Sequence, residues 1–350
     1  PGSFTISRGN TFNWAASTAM YGPGTLGVDS GGVLNLNGGN SHEMRSALRI
    51  DNSGSVRLTS ASSSLFINDY SVFNNLAGGV FDFQADGTFV TDNYNCPGTA
   101  CQFLNVGLVK KSAGSGVSDL AGGDIYYNAT NETLNAASGQ LRYTSSSANI
   151  SHSGTINLLG DVQFYNGTHT FASGTSIAGT LNFNSGAFVF PGLTTVLSGS
   201  TMNWASGTTM YGSGTLGIAS GGTLNLNGGS SHEMRSGLHI DNAGTVALVP
   251  ANASLYINDF SAFSNLAGGV FDFQADGSFI TDNYNCPAGA CLFTNAGTIR
   301  KTGGTGTSTV GGNEVTYSFA GGSMQVQTGT LQVQRAIANS GTIDVWSGAT

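Results

Sequence analysis

The chain has 350 residues, of which 53 are glycine and 9% are charged, and its net charge is −8 at pH 7. Because it is also 39% hydrophobic and 10% aromatic, it is too apolar to be a disordered segment, and the glycines are expected in the turns of an ordered structure. An acidic chain is a poor ligand for nucleic acid, since such binding depends on neutralising phosphates. No apolar run approaches the roughly 18–20 residues of a membrane-spanning helix, so no membrane span is expected.

Short segments of alternating apolar and polar residues recur along the chain, each introduced by Gly-Thr or Gly-Gly and often preceded by Asn. Alternation over about five residues is typical of a half-buried β-strand, and Asn or Gly before it suits the left-handed backbone of a corner. In chain order the segments are GVLNL (32–36), DNSGSVRL (51–58), GGVFDF (78–83), HSGTINL (152–158), GTLNF (179–183), GGTLNL (221–226), DNAGTVAL (241–248), TNAGTIRK (294–301), TGTLQV (328–333) and NSGTIDV (339–345).

These segments follow one another at intervals of roughly 8–20 residues, with no helical periodicity between them. The pattern predicts an all-β fold of stacked coils, a parallel β-helix or β-solenoid, with a hairpin-based sandwich or barrel as the alternative. Alternate residues of the strands are then expected to point into the core or out of it. The inward set is Leu34, Leu36, Phe81, Phe83, Leu224, Leu226, Phe271 and Phe273, and the outward set is Asn35, Asp82, Asn225 and Asp272.

A second, longer repeat has a period of about 190 residues and places Thr11 over Thr201. Roughly 68 of the 100 positions from Thr11 to Lys110 are identical to their partners in this register. We therefore expect one continuous solenoid built from tandem units of about 190 residues. Residues 1–10 would end a preceding unit, 11–200 would form the first unit and 201–350 an incomplete second one, so that the chain would be a section of a longer array.

The phrase FTNAGTIRKTGGTGTSTVGG (293–312), which leads into GTLQV and NSGTIDVWSG, resembles the Gly-rich repeats of giant secreted bacterial surface proteins. These are the filamentous-haemagglutinin-like and autotransporter-passenger-like adhesins. The resemblance implies a right-handed parallel β-helix, an extracellular or cell-surface location, and a role in adhesion or matrix building. The chain departs from that pattern in its cysteines and in the length of its long repeat.

Four cysteines fall in two pairs of identical spacing, Cys96 with Cys101 and Cys286 with Cys291. A C-x4-C spacing around a Pro/Gly turn is best interpreted as a short local disulfide, which indicates an oxidising compartment. Free thiols and a four-cysteine zinc site are the alternatives, but the two pairs lie a full repeat apart and no histidine flanks them.

The densest group of ionisable residues is His42-Glu43-x-Arg45, which recurs as His232-Glu233-x-Arg235. Acid–base chemistry can use a histidine and a glutamate together, but one of each lacks a nucleophile and an orienting partner. We interpret the motif as a loop or corner held by an Arg–Glu pair.

Aspartates also recur at matching places and raise the question of calcium, which favours six to eight oxygen ligands. The EF-hand and GGxGxD spacings are missing, and Asp and Asn stabilise turns without an ion. No metal or cofactor is therefore predicted. The aspartates are Asp69, Asp82, Asp86 and Asp92, followed by Asp259, Asp272, Asp276 and Asp282.

The function predicted from these features is a structural or adhesive extracellular solenoid, a segment of a long surface protein or fibre, and not an enzyme. Its expected partners are other copies of itself, by end-to-end or lateral assembly, and cell-surface glycans. Two alternatives are a carbohydrate-active solenoid enzyme, which would need clustered carboxylates on one face, and an adhesin module specific for one glycan.

Overall fold

The computed structural model describes residues 2–90, 94–121, 125–144, 149–280, 284–287, 289–312, 315–334 and 340–350. The chain divides into two compact units, unit 1 from Pro1 to Thr170 and unit 2 from Phe171 to Thr350. Within the ranges just given the regular structure is entirely β-strand. None of the described residues forms a helix with the length and apolarity needed to cross a bilayer.

Unit 1 contains short strands, most of them of four or five residues. They are β1 (Ser3–Ile6), β2 (Thr11–Ala15), β3 (Thr18–Tyr21), β4 (Thr25–Val28), β5 (Val33–Asn37), β6 (Ser41–Arg45), β7 (Arg49–Asn52), β8 (Ser55–Leu58), β9 (Ser64–Ile67), β10 (Val72–Asn75), β11 (Val80–Phe83), β12 (Thr88–Val90), β13 (Gln102–Asn105), β14 (Leu108–Lys111), β15 (Val117–Ala121), β16 (Tyr126–Thr130), β17 (Thr133–Thr144), β18 (Asn149–Ser153), β19 (Thr155–Tyr165) and, at its end, β20 (Thr168–Phe171).

Unit 2 continues with strands of the same kind. They are β21 (Thr175–Phe183), β22 (Ala187–Val189), β23 (Leu193–Val196), β24 (Thr201–Ala205), β25 (Thr208–Tyr211), β26 (Thr215–Ile218), β27 (Thr223–Asn227), β28 (Ser231–Arg235), β29 (His239–Asn242), β30 (Thr245–Leu248), β31 (Ser254–Ile257), β32 (Ala262–Asn265), β33 (Val270–Phe273), β34 (Ser278–Ile280), β35 (Cys291–Asn295), β36 (Thr298–Lys301), β37 (Thr307–Val310), β38 (Val315–Phe319), β39 (Ser323–Val326), β40 (Thr330–Val333) and β41 (Ile343–Val345).

Parallel pairing between successive coils organises each unit. In unit 1, Ser3 of β1 pairs with Thr25 of β4, and Thr25 pairs with Arg49 of β7, so every third strand stacks on the same side of the coil. In unit 2, Thr201 of β24 pairs with Thr223 of β27, which pairs with Thr245 of β30. The predicted parallel β-solenoid is confirmed, and the hairpin alternative is wrong. The right-handed coiling and the unit boundaries at 10/11 and 200/201 stay predictions.

One coil in each unit is longer than those before it. Val72 of β10 pairs with Gln102 of β13, and Ala262 of β32 pairs with Leu292 of β35, so the same extension occurs in both units. The additional residues lie at the corner that carries the cysteine pair. The ladder resumes in parallel register after each corner, because four consecutive residue pairs follow.

The predicted inward set forms the core, since all eight side chains are at most 1% exposed. Outward Asn35 and Asn225 are partly exposed, as expected. Outward Asp82 and Asp272, in contrast, are only 3% and 1% exposed. Basic side chains of the next coil cover them: Lys110 Nζ lies 3.4 Å from Asp82 Oδ2, and Arg300 donates to Asp272 Oδ2 at 2.8 Å.

Asparagines at the strand ends have a different role from the one predicted. The backbone of Asn52, Asn75 and Asn105 is not left-handed; their buried side chains instead form a ladder inside the coils. Asn52 Nδ2 donates to Asn75 Oδ1 at 2.8 Å, and Asn75 Nδ2 donates to Asn105 Oδ1 at 2.8 Å. Unit 2 repeats this with Asn242, Asn265 and Asn295, at 2.8 and 2.7 Å. Apart from Asn295 Nδ2, which has no partner among the described residues, the ladder satisfies amide groups that would otherwise be buried without hydrogen bonds.

Candidate functional site, a repeated arginine and tyrosine patch

The SHEMRS motif forms a strand in both units, β6 and β28, and not the predicted loop or corner. Strand alternation therefore places its histidine and its glutamate on opposite faces. His42 is fully buried, and its Nε2 lies 3.0 Å from Trp14 O and 3.2 Å from Asn37 O. The two residues cannot act together on a substrate.

His232 repeats this arrangement in unit 2. Its Nε2 lies 2.9 Å from Trp204 O and 3.0 Å from Asn227 O. Burial lowers the pKa of His232, and the hydrogen bonds to backbone carbonyls partly oppose this decrease. Both motif histidines thus hold neighbouring coils together.

The predicted Arg–Glu pair is present on the outer face of each strand. Arg45 Nε donates to Glu43 Oε2 at 2.6 Å, and the guanidinium carbon of Arg45 lies 4.6 Å from the centre of the Tyr94 ring. In unit 2, Arg235 contacts Glu233 at 2.7 Å, and its guanidinium lies 4.5 Å from the Tyr284 ring. Each arginine thus joins a carboxylate to an aromatic face, a cation–π contact.

An aspartate turn lies between this arginine and the cysteine corner. Asp69 Oδ2 accepts from the Ser46 amide at 2.9 Å, and its Oδ1 accepts from Asn95 Nδ2 at 3.1 Å. The Asp69 amide in turn donates to Tyr94 O at 2.8 Å. The hydrogen bonds from Asn95 and from the Ser46 amide lower the pKa of Asp69, because they favour its charged form. This carboxylate connects three successive turns.

The residue after each aspartate is a large aromatic side chain in an unusual backbone conformation. Tyr70 has φ of 63° and Phe260 has φ of 64°, both left-handed. Bulky residues rarely adopt this region, since their Cβ crowds the backbone. Both side chains are nevertheless exposed, 52% for Tyr70 and 54% for Phe260. We refer to Glu43, Arg45, Asp69, Tyr70 and Tyr94, with Glu233, Arg235, Asp259, Phe260 and Tyr284, as the turn patches of units 1 and 2.

Each turn patch borders a disulfide. Cys96 is joined to Cys101, and Cys286 to Cys291, with Cα–Cα distances of 5.2 and 5.3 Å. All four cysteines are at most 5% exposed. The bond closes a short loop that begins two residues after Tyr94 and Tyr284.

The recurrent aspartates have protein partners. Asp86 Oδ1 accepts from Lys111 Nζ at 2.5 Å, and Asp276 Oδ1 accepts from Lys301 Nζ at 2.6 Å. The lysine hydrogen bond lowers the pKa of both carboxyl groups. Among the described residues no group of three His, Cys, Asp or Glu side chains could hold a metal ion. Asp92 and Asp282 lie outside the described residues.

Unit 1 contains a buried network of side chains that was not predicted from the sequence. It consists of Tyr127 on β16, Glu132 before β17, Tyr143 on β17, His152 on β18 and His169 on β20, all at most 3% exposed. Glu132 accepts from Tyr143 at 2.8 Å and lies 2.8 Å from His152 Nδ1. His152 Nε2 lies 3.3 Å from His169 Nδ1. We call these five residues the Glu–His network.

Burial sets the ionisation of several network residues. It raises the pKa of Tyr127 and Tyr143 well above the usual tyrosine value, and the Glu132 carboxylate raises both further. Burial also lowers the pKa of His169 well below the usual histidine value, with the charge of His152 as a second cause.

A residue-by-residue comparison of the two repeats in the sequence gives a signal for this network. In the register of the long repeat, Glu132 aligns with Gly322 and Tyr143 with Val333. At these two positions the first repeat thus has an ionisable or polar residue where the second repeat has a small or apolar one.

No protein-family model matches this chain. No curated protein matches it either. Among solved structures, the chain is similar to a hyper-glycosylated fragment of TibA whose modification is catalysed by TibC. The two are 14% identical, the comparison covers 100% of this chain and 99% of that chain, and the TM-score is 0.35. This likeness is too low to support any inference about function.

Proposed function

We propose that this chain is an extracellular structural or adhesive β-solenoid that acts through surface contacts and self-association, and not as an enzyme. The observation that carries the proposal is the pair of turn patches, which place exposed, strained aromatic side chains at matching positions of both units. The disulfides support an extracellular location, because such bonds persist in oxidising compartments.

The strain at Tyr70 and Phe260 favours a binding role for these side chains. A left-handed non-glycine residue costs on the order of 1–3 kcal/mol, and such strain concentrates at functional sites. The rings also gain little from burial, since about half of each is exposed. A glycine or asparagine would fit either position with less strain. An aromatic residue there is best explained by a ligand that contacts its ring.

Glycans fit this surface. A sugar ring presents an apolar face to an aromatic side chain and hydroxyl groups to polar neighbours. The turn patch offers both kinds of contact, because Tyr94 is exposed against Arg45 and its partner Glu43, and Tyr70 is exposed directly after Asp69. In unit 2 Phe260 replaces Tyr70, so the ring and not its hydroxyl is common to the two patches.

An apolar groove lies at the first coils of unit 1. Phe4, Phe12 and Tyr21 line it together with Leu26 and Leu48, and its volume is about 440 Å³. Phe12 is 37% exposed, whereas Met202, its partner in the second repeat, is fully buried. In unit 2, β21 supplies Leu181 opposite Met202 and covers it. The row of the core to which Phe12 belongs is thus covered by a further coil in unit 2.

Substitution of the strained aromatics tests the adhesive role. We expect the double variant Tyr70→Asn/Phe260→Asn to lose at least about tenfold in affinity for immobilised glycans while keeping or raising its Tm. Asparagine tolerates the left-handed conformation, so the rings are removed and the strain is relieved. The measurement is binding of the full chain to a panel of neutral and acidic polysaccharides, with Tm from circular dichroism.

Leu159→Asn/Leu193→Asn is the matched control, because these side chains are 50% and 51% exposed and lie outside the patches. Binding that both double variants reduce equally, or that neither reduces, would refute the role of the turn patches. Depolymerisation of a polysaccharide by the wild-type chain would instead support the enzyme alternative.

A further inference from the structure

The Glu–His network places an acid and two bases inside a solenoid core that consists mostly of apolar rows. Glu132, His152 and His169 are each fully buried. Buried charges are stable only when they are paired and hydrogen-bonded, so the protons in this network have defined positions.

The hydrogen bonds assign those protons. His169 Nε2 lies 3.2 Å from the Asn166 carbonyl oxygen, which can only accept, so Nε2 carries a proton. Nδ1 of a neutral His169 is then an acceptor for His152 Nε2 at 3.3 Å. His152 Nδ1 also faces an acceptor, Glu132 Oε1, at 2.8 Å. The network is therefore complete when His169 is neutral, with a proton on Nε2 and with Nδ1 accepting from His152.

A further proton on His169 would disrupt this arrangement. A proton on its Nδ1 would point at the proton on His152 Nε2, in two rings that are stacked with centroids 5.6 Å apart. Among the described residues, Glu132 contacts His152 directly at 2.8 Å, and the Tyr143 ring centre lies 6.1 Å from that of His169. Tyr127 lies beyond Tyr143, to whose hydroxyl its own hydroxyl is hydrogen-bonded. Phe164 packs against His169 at 4.9 Å and carries no charge.

We propose that the Glu–His network is an acid-sensitive element that loosens the coils of unit 1 between β16 and β20 when the pH falls below the range in which free histidine titrates. In the unfolded chain His169 takes up a proton at about pH 6.5. In the folded chain it does not, because its pKa is lowered. The stabilising effect is thus complete above about pH 6.5 and is lost as the pH falls toward the folded pKa, by up to about tenfold in the opening equilibrium per pH unit.

In the sequence of the second repeat, other residues occupy positions of the Glu–His network. Gly322 and Val333 stand where the first repeat has Glu132 and Tyr143, and after the three-residue deletion Asn339 stands where it has His152. Residues 298–334 contain no histidine. They provide an internal reference within the same chain.

Hydrogen–deuterium exchange with mass spectrometry on the full chain tests the proposal. Protection is compared at pH 7.5 and pH 4.5 after correction for the intrinsic exchange rate at each pH. We expect peptides from residues 126–170 to lose up to about 100-fold in protection, while peptides from 298–334 change by less than about threefold.

Two variants identify the titrating group. His169→Gln keeps one acceptor and one donor but cannot titrate, so the acid loss in 126–170 should disappear. His239→Arg removes an exposed histidine and introduces the residue found at the matching position of the first repeat, Arg49, so it should leave the loss unchanged. An acid loss that persists in His169→Gln would overturn the proposal.

The comparison of residues 126–170 with residues 298–334 in the wild-type chain does not need the variants. It tests the proposal even if His169→Gln fails to fold. Equal protection of 126–170 at both pH values would overturn the proposal, as would an equal loss in 126–170 and 298–334.

Discussion

Gly244 illustrates how single residues set the distance between coils. A Cβ built on Gly244 would lie 2.3 Å from Gly222 O and 2.4 Å from Ala219 O, so no side chain fits there without a shift of backbone. Its φ is not in the left-handed region, and close approach alone therefore explains the glycine. The sequence indicated that glycines lie in turns, but it could not show which of them are required by close approach, because the contact at Gly244 is with a neighbouring coil.

We expect Gly244→Ala to destabilise unit 2 by about 1–3 kcal/mol, the usual effect of overpacking. Gly217→Ala is the control, since a Cβ at Gly217 meets nothing closer than 3.7 Å. Chemical denaturation of both variants measures the difference. Equal stability of the two would show that the coils separate easily at this corner.

The two asparagine ladders of unit 2 show how one residue type supports strands in different ways. Inside the coils, Asn265 accepts from Asn242 and donates to Asn295 and to Thr298 O. On the outer face, Asn225 donates to Asn203 Oδ1 at 2.9 Å, where solvent can replace the bond. Period-two alternation predicted the outer asparagines. It could not predict the inner ones, because a buried asparagine is recognised only by the partner that the next coil supplies.

We expect Asn265→Ala to reduce the free energy of unfolding by about 2 kcal/mol or more, since it leaves buried amide groups without partners. Asn203→Ala should cost less than about 1 kcal/mol, because water can hydrogen-bond to the side chains left behind. Urea denaturation followed by circular dichroism measures both. A greater loss of unfolding free energy in Asn203→Ala than in Asn265→Ala would show that the outer ladder stabilises the unit more than the inner one.

For the whole chain, repetition was the most informative property of the sequence. Tandem similarity and period-two alternation were enough to predict parallel coils and the eight core residues, because both depend on local pattern. The turn patches could not be found in this way. Their aromatic residues are ordinary in composition, and the left-handed φ of Tyr70 and Phe260 becomes visible only in the folded backbone.

Self-association is the property of the whole molecule that the proposed function predicts. We expect Phe4→Asn/Phe12→Asn to shift the chain toward monomer, because 59% of Phe4 and 37% of Phe12 are exposed and available to another copy. Sedimentation velocity over a concentration series measures this, with Leu159→Asn/Leu193→Asn as the control. A wild-type chain that is monomeric at every concentration would contradict self-association.

The long coil of each unit has a practical consequence. Its corner takes up several residues beyond the usual coil length, and the strands on both sides keep their register. A repeating scaffold with such a corner can acquire new sequence there without rearranging its neighbours, and the disulfide closes a short loop directly before the next strand. This corner is therefore the place where an epitope or a tag could be displayed, and where related repeats can diverge while the rest of the coil stays the same.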